Sequence, residues 1–402
     1  MSIRGKVAII GVGMIPFGEL FHKGLESMIQ EAFMKCVKSI DKGFDPKDIK
    51  AAWFGQWSGG GMIGQGSREG TTLGTVLGLR GIPISRLENG CPTGNDVFRN
   101  AVLGVASGAY DVVLALGAEK MRDKPGVESL IAAGGAAGGG ILGLHPSWML
   151  GMGGPVLQAL YATRQMHQLG YTMEDYARVA VKNHHNGVAC PYAEYRFEVT
   201  VERVLNSPVV CWPLHLLDCC PQTDGAACAI VCRADLAKKY TDKPIYVLGT
   251  ATGIDYKDMW DKDNYIEMPA TIYAARDAFA MAGIKPSDVD LAEVHDCFTN
   301  TELMNIEDIG FCKKGEAAKL LKEGYWNRED GHTPINPSGG LKSHGHPIAA
   351  TGLGQIAENF WQLRQEVEPV RQVKLKKGIA LSHNVGGNGF GASSINIIGR
   401  EP

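Results

Sequence analysis

The amino-acid sequence predicts an α/β protein made of two duplicated βαβ-rich halves, the first interrupted by an inserted loop domain. Three observations carry that expectation. Gly43-Phe-Asp-Pro46-Lys-Asp48-Ile49 is echoed by Gly283-Ile-Lys-Pro286-Ser-Asp288-Val289 at a shift of 240 residues. A strand-like run ending in glycine opens each copy, Lys6-Val-Ala-Ile-Ile-Gly11 and Ile245-Tyr-Val-Leu-Gly249. Later in each comes a Gly-X-Pro element, Gly90-Cys91-Pro92 and Gly345-His346-Pro347, followed by a helical pattern. Landmarks that recur in one order at a long period mark a repeated architecture.

Each element has a local reason. Amphipathic stretches at residues 25–42 and 270–282 precede the echoed heptapeptide. Its proline blocks helix continuation and its aspartate can bond nearby backbone, as a helix-to-strand turn requires. Short apolar runs follow at 51–54 and 291–294 and read as strands. After each Gly-X-Pro a helix is expected, at 93–107 and 351–363, and then a closing apolar run at 112–116 and 379–382. Residues 121–213 have no counterpart in the second copy. The expected division is therefore 1–120 with 214–240 as the N-terminal half, 121–213 as an inserted loop or cap domain, and 241–402 as the C-terminal half.

Composition narrows the function. The 402 residues are 45% hydrophobic, and 40 basic against 43 acidic side chains leave a net charge of −3. That balance gives no electrostatic footprint for nucleic acid or an anionic membrane. The start of the chain lacks a long apolar segment, so no secretory signal is expected and the location is read as cytoplasmic. The weakly polar stretch 131–154 is apolar by glycine and alanine and is broken by His145-Pro146, which reads as a loop and not a membrane span. Ten cysteines are read as free thiols. Five crowd positions 211 to 232, but no Cys-X-X-Cys pair occurs among them, so core packing is expected and no metal site. His184-His185 is read as a solvated or helix-capping pair. Gly11-Val-Gly13-Met-Ile-Pro16 lacks the last glycine of a dinucleotide fingerprint.

The chemistry lies at the duplicated positions. Cys91 and His346 occupy equivalent places, each at a helix start, and packing of the halves about a pseudo-twofold axis would bring them together. A thiol at a helix N-terminus is expected to have a lowered pKa, and a nearby imidazole would complete a nucleophile and base pair. His295-Asp-Cys297-Phe298 ends a strand of the second copy, where α/β proteins place reactive groups. Ser382-His-Asn384-Val-Gly386-Gly387-Asn-Gly389 follows another strand, with glycines that allow backbone to approach a ligand. His145 and Trp148, just after the glycine-rich run, are expected to meet substrate at the edge of a cap. Arg164, Arg178, Lys182, Arg196 and Arg203 are available on the insert for anionic groups.

Taken together, Gly90-Cys-Pro92, His295-Asp-Cys-Phe298, Asn336-Pro-Ser-Gly-Gly340, Gly345-His-Pro347, Ala350-Thr-Gly352 and His383-Asn-Val-Gly-Gly387 resemble the thiolase superfamily. The resemblance is nearest to its sterol-carrier-protein and archaeal types and spans almost the whole chain, with Asn206-Ser-Pro208 and Asp224-Gly-Ala-Ala227 included. It implies a layered α-β-α-β-α fold. It also implies that Cys91 is the acylated nucleophile, that His346 activates it, and that His346 and His295 together receive an enolate oxygen. The backbone N–H groups of Cys91 and Gly386 would receive the tetrahedral oxyanion, with the backbone of Asn384 grouped beside Gly386 at the same oxyanion site. Common thiolases have Asn-Glu-Ala-Phe where this chain has His295-Asp-Cys-Phe298, and a second cysteine where it has Asn384, so Cys297 is expected to handle the α-carbon proton. Ser338 is placed with the substrate-binding residues. Coenzyme A enters as co-substrate, and no cofactor is permanently bound. The implied reaction is thiolysis, or the reverse condensation, of a 3-ketoacyl-CoA. The small residues of 131–154 leave room for a bulky acyl chain such as that of benzoylsuccinyl-CoA. Alternatives are retro-aldol cleavage of a β-hydroxyacyl-CoA and acetoacetyl-CoA formation. A homodimer or tetramer is implied, with a small OB-fold and zinc-ribbon protein as partner.

Overall fold

The computed structural model describes residues 3–57, 70–124, 153–256 and 259–402. Nine strands share one sheet: β1 (Val7–Met14), β2 (Ala51–Gly55), β3 (Ile84–Leu87), β4 (Val112–Glu119), β5 (Gly225–Arg233), β6 (Ile245–Ile254), β7 (Leu291–Glu293), β8 (Ile379–Gly386) and β9 (Ala392–Gly399). Their spatial order is β3-β2-β4-β5-β1-β6-β9-β8-β7. From its centre outward the order repeats itself: β1 and β6 meet, β5 and β9 flank them, then β4 and β8, then β2 and β7, with β3 unmatched. Ladder senses repeat as well. The β2–β4 and β7–β8 pairs are parallel, while β4–β5, β8–β9, β5–β1 and β9–β6 are antiparallel. The halves touch at β1 and β6 through two residue pairs, Ala8 with Tyr246 and Ile9 with Ile245.

The longer helices are α1 (Leu25–Lys38), α2 (Thr93–Ala106), α3 (Gly154–Leu169), α4 (Met173–Val188), α5 (Pro269–Ala282), α6 (Thr299–Ile309) and α7 (Ile348–Arg364). In the middle layer, α2 contributes Val97, Phe98, Ala101 and Val105 and α7 contributes Leu353, Ile356 and Phe360 to one core, shared with Val7, Ile9, Val113, Val231, Val247 and Ile398 from the strands. Alternate side chains of the first-half strands, Ala8, Ile10, Leu114, Leu116 and Ile230, face α1 instead. Those of the second half, Leu248, Leu381, Ile395 and Ile397, face α5 and α6. Strands covered on both faces read as continuous apolar runs. The result is the expected α-β-α-β-α layering.

Close approach explains part of the glycine content. A Cβ on Gly13 of β1 would collide with the carbonyl of Ala32 in α1, and one on Gly253 of β6 with the carbonyl of Ala270 in α5. Between β4 and β5 the chain runs through α3, α4 and the short helix Val201–Leu205, whereas β8 and β9 are joined by residues 387–391. Helices α3 and α4 bury Tyr161, Tyr176 and Val179 in the core of the second half. His184 is not the solvated residue expected: it is fully buried and stacked on Tyr195 at 6.1 Å, and burial pushes its pKa down to about 4. Its neighbour His185 is the exposed one, between Glu198 and Glu329. Lys182 likewise leaves the set of anion-binding candidates, because it is buried against Glu302 at 3.1 Å. All ten cysteines are free. Among the described residues no helix is long and apolar enough to cross a membrane.

Candidate active site

Three elements converge where the halves meet. Cys91 precedes Pro92, the residue that opens α2. It rests on Gly386 at the end of β8, where a Cβ would collide with the Cys91 side chain. His346 lies between the helical turn Gly340–His344 and α7, and His295 lies between β7 and α6. Cys91 Sγ and one nitrogen of each imidazole fall within 4.8 Å of one another. The two rings meet edge to face, with centroids 5.1 Å apart.

Hydrogen bonds assign the protons. Thr351 Oγ1 donates to Pro347 O at 3.2 Å, so at 2.7 Å it accepts from His346 Nδ1–H. His346 Nε2 therefore carries a lone pair, and no partner occupies it. His295 is arranged the other way. Asn384 Nδ2 donates to its Nδ1 at 3.1 Å, which leaves the proton on Nε2, also without a partner. The main chain of His295 is held too, its N–H by His383 Nδ1 at 3.4 Å and its carbonyl by Asn305 Nδ2 at 3.0 Å. The triangle thus offers one S–H, one lone pair and one N–H. Its spacing is within reach of a metal ion, but a metal needs a lone pair where His295 presents a hydrogen.

The pKa shifts correct one expectation. Burial pushes the Cys91 thiol up to about 12, and Glu88 adds to it, against the lowering effect of the Gly387 and Cys91 backbone N–H groups. The helix end does not prevail. The amide facing the sulfur belongs to Gly387, one residue beyond Gly386. Burial pushes His346 down to about 3 and His295 well below its ordinary value, with His346 and His383 adding to the fall at His295. At neutral pH the site is a neutral thiol beside two neutral imidazoles.

Cys297 stands outside that triangle but near enough to Cys91 to feel its charge. It is buried, and burial together with Cys220, Cys91 and Asp296 pushes its thiol well up, so it holds its proton. Asn384 is present, but through its side chain rather than its backbone. Ser338 is turned away to a different partner: it is buried and its Oγ donates to Glu293 Oε2 at 2.8 Å. His145 and Trp148 lie outside the described residues. Residues that sequence reasoning missed stand behind these. Asp296 accepts from the Leu341 and Lys342 amides at 2.7 and 3.1 Å and from Asn183 Nδ2 at 2.7 Å, which ties the His295 loop to the turn before His346. Asn336, at φ 55°, bridges Val294 N at 2.7 Å and Glu302 at 2.7 Å. The quoted motifs contained Asp296 and Asn336 without a role, while Asn183 had no signal.

Comparison with known proteins covers nearly the whole chain. Residues 7–235 match the family described as Thiolase, N-terminal domain, and residues 251–400 the one described as Thiolase C-terminal domain-like. The chain is 40% identical over 396 residues to an acetyl-CoA acetyltransferase of Methanothermobacter thermautotrophicus, covering 98% of this chain and 99% of that protein. It is 33% identical to sterol carrier protein 2 of Bos taurus, covering 96% of this chain and 70% of that one. It is also 33% identical to benzoylsuccinyl-CoA thiolase subunit BbsB of Thauera aromatica, covering 96% of each. In fold it resembles the solved structure of an Ltp2–ChsH2(DUF35) aldolase, with a TM-score of 0.85, 24% identity and 99% of both chains covered.

Proposed function

The chain belongs to the thiolase family and is an acyltransferase of that family, and from that membership we propose that it cleaves or forms 3-ketoacyl-CoA through a thioester on Cys91. The observation that carries the reading is the pair of opposed imidazoles around one thiol, one offering a lone pair and the other a hydrogen at Nε2.

In the cleaving direction His346 Nε2 takes the Cys91 proton as Sγ attacks the 3-keto carbon. A thiol with so high a pKa needs that base at the moment of attack. In this mechanism the tetrahedral oxyanion is received by the backbone N–H groups of Cys91 and Gly387, the two amides that face the sulfur. When the bond between the α and β carbons breaks, the enolate oxygen of the leaving acyl-CoA meets His295 Nε2–H and the new His346 Nε2–H. Cys297, protonated at rest, gives its proton to the α-carbon. In the second half-reaction Cys297 thiolate takes the proton of CoA-SH, the CoA sulfur attacks the thioester, and Cys91 leaves and regains its proton from His346. Protons and charges balance over the cycle.

Relatives named for acetyl-CoA and for benzoylsuccinyl-CoA support a short and a bulky acyl group respectively. A partner carrying an OB-fold and zinc ribbon is supported by one neighbour being solved with a DUF35 protein and one relative being named a subunit. Co-purification from the native host tests it. Incubation with acetoacetyl-CoA, long-chain and aromatic 3-ketoacyl-CoA esters, read by intact mass, tests the chemistry and the acyl range together. An acyl adduct should form on the wild type and vanish in Cys91→Ala, with thiolysis lost and the fold intact. Retained turnover in Cys91→Ala removes the assignment. Carbon–carbon cleavage of a β-hydroxyacyl-CoA without an adduct favours the retro-aldol alternative.

A further inference from the structure

We infer that Asn384 and Asn95 are positioning residues that hold His295 in the Nε2–H tautomer. The inference deepens the reading above and rests on it for the role of His295, but the tautomer itself is a property of the fold.

An amide side chain can face an imidazole with either end, and the end it shows decides where the imidazole proton sits. For Asn384 two separate contacts decide it. Its second Nδ2 hydrogen reaches His383 O at 2.9 Å, and a carbonyl can only accept. Its Oδ1 faces Asn95 Nδ2 at 3.2 Å, and that group can only donate. Turning the amide over would break both bonds and set N–H against N–H at Asn95.

Asn95 is fixed in the same manner. Its Oδ1 accepts from Ser382 Oγ at 3.2 Å and from Asn396 Nδ2 at 3.1 Å, while its Nδ2 also reaches Ser394 O at 3.5 Å. Asn396 is oriented by donating to Asn95 O at 3.1 Å and accepting from Thr250 Oγ1 at 2.6 Å. Asn95, Asn384 and Asn396 have no exposed surface, so water cannot substitute for any link. The chain of amides starts at main-chain carbonyls, which cannot turn over, and ends on His295 Nδ1 as an N–H. His295 Nδ1 must then be the acceptor and Nε2 the donor.

This gives Asn384 a purpose at the position where common thiolases carry their second cysteine. There the residue handles a proton, whereas here it decides which ring nitrogen of a neighbour carries one. It also accounts for Asn95, which lies three residues after Pro92 and outside every motif named above. A ring free to exchange tautomers would turn a lone pair toward the enolate oxygen for part of the time and repel the charge it has to stabilise.

The test is long-range 15N NMR of the imidazoles in the full-length protein, with the His295 signals assigned from their loss in His295→Gln. The wild type should show His295 protonated at Nε2. Asn384→Asp, recorded at pH 9 where even the buried carboxyls of this fold are ionised, presents only an acceptor to Nδ1 and should move the proton there, and Asn95→Asp is read at the same pH. Asn95→Asp, one residue further away, should do the same by turning the Asn384 amide over. Each should lower kcat about a hundredfold, the loss seen when one oxyanion donor is removed, with KM for acyl-CoA little changed, and the double variant should be no worse than either. Asn95→Ala should fall between these and wild type. A wild-type His295 protonated at Nδ1 overturns the inference, and that spectrum decides even if the variants do not fold. So does an Asn95→Asp variant that folds with tautomer and kcat unchanged. An Nε2–H tautomer in a protein that forms no Cys91 adduct would instead overturn the thiolysis reading and leave the tautomer device standing.

Discussion

Two opposing effects act on the sulfur of Cys91. The backbone N–H groups of Gly387 and Cys91 favour thiolate, and burial favours thiol; burial wins, at a pKa of about 12. Helix-end effects are commonly worth up to about 1 kcal/mol at exposed sites, less than one pKa unit, while desolvation of a buried group can move several. Alkylation by iodoacetamide reads the outcome directly. Its rate at Cys91 should climb close to tenfold per pH unit up to pH 9, with no plateau near neutrality; a plateau there would mean a preformed thiolate. Cys91, His346 and His295 stand out in the sequence because they sit in spaced motifs, and the fold brings those three side chains together. What those motifs did not contain was the degree of enclosure, which depends on both halves closing over the sulfur, so the sign of the pKa shift was misread. His184 failed for the same reason: Tyr195 and Phe197, more than ten positions away in sequence, cover it.

At the scale of elements, the loop from Asn336 to Gly340 is a brace. Asn336 ties it to β7, Glu293 receives Ser338, and Asp296 receives the amides that open the turn Gly340–His344, which runs directly into Gly345 and His346. The motif was legible as a site marker, but sequence alone does not say which way a serine hydroxyl turns, and Ser338 was placed with substrate. The two readings of this segment differ in kinetics. Ser338→Ala should leave KM for acyl-CoA unchanged while lowering the urea midpoint, since one buried hydrogen bond is lost. A rise in KM with unchanged stability would put the hydroxyl back at the substrate. Asp296→Ala leaves two buried N–H groups without their acceptor and should cost about 2–6 kcal/mol by urea unfolding, on a scale of about 1–3 kcal/mol per buried group. It should also lower kcat, because His346 follows the turn that Asp296 holds.

For the whole molecule, duplication was the most legible feature, since echoed turns and matched strand glycines survive as sequence, although Gly11 and Gly249, expected to end their strands, lie inside β1 and β6. The sheet order needed coordinates, because nothing in β1 or β6 announces that they meet. The enclosure that hides the site also sets the response to pH. In the folded chain His184 is pushed down to about 4, and His346 and His383 to about 3. An unfolded histidine titrates near ~6.5, so below that value the unfolded chain binds more protons and stability falls. Buried carboxyls work in the other direction. Burial pushes Glu293 up to about 8 and Asp308 up to about 7. The stability they contribute is complete below the ordinary carboxylate range near ~4 and is lost as pH rises through those raised values. The two trends cross between pH 6 and 7, where the urea midpoint should peak. Glu293→Gln, which imitates the protonated carboxyl against Ser338, should remove a decline that runs from the ordinary carboxylate range up to about pH 8, so the midpoint rises more steeply with pH on the acid side and falls less between pH 6.5 and 8. Midpoints measured from pH 5 to 9 on both proteins decide the matter, because an alkaline decline equal in the two would mean that Glu293 does not keep its proton in the fold.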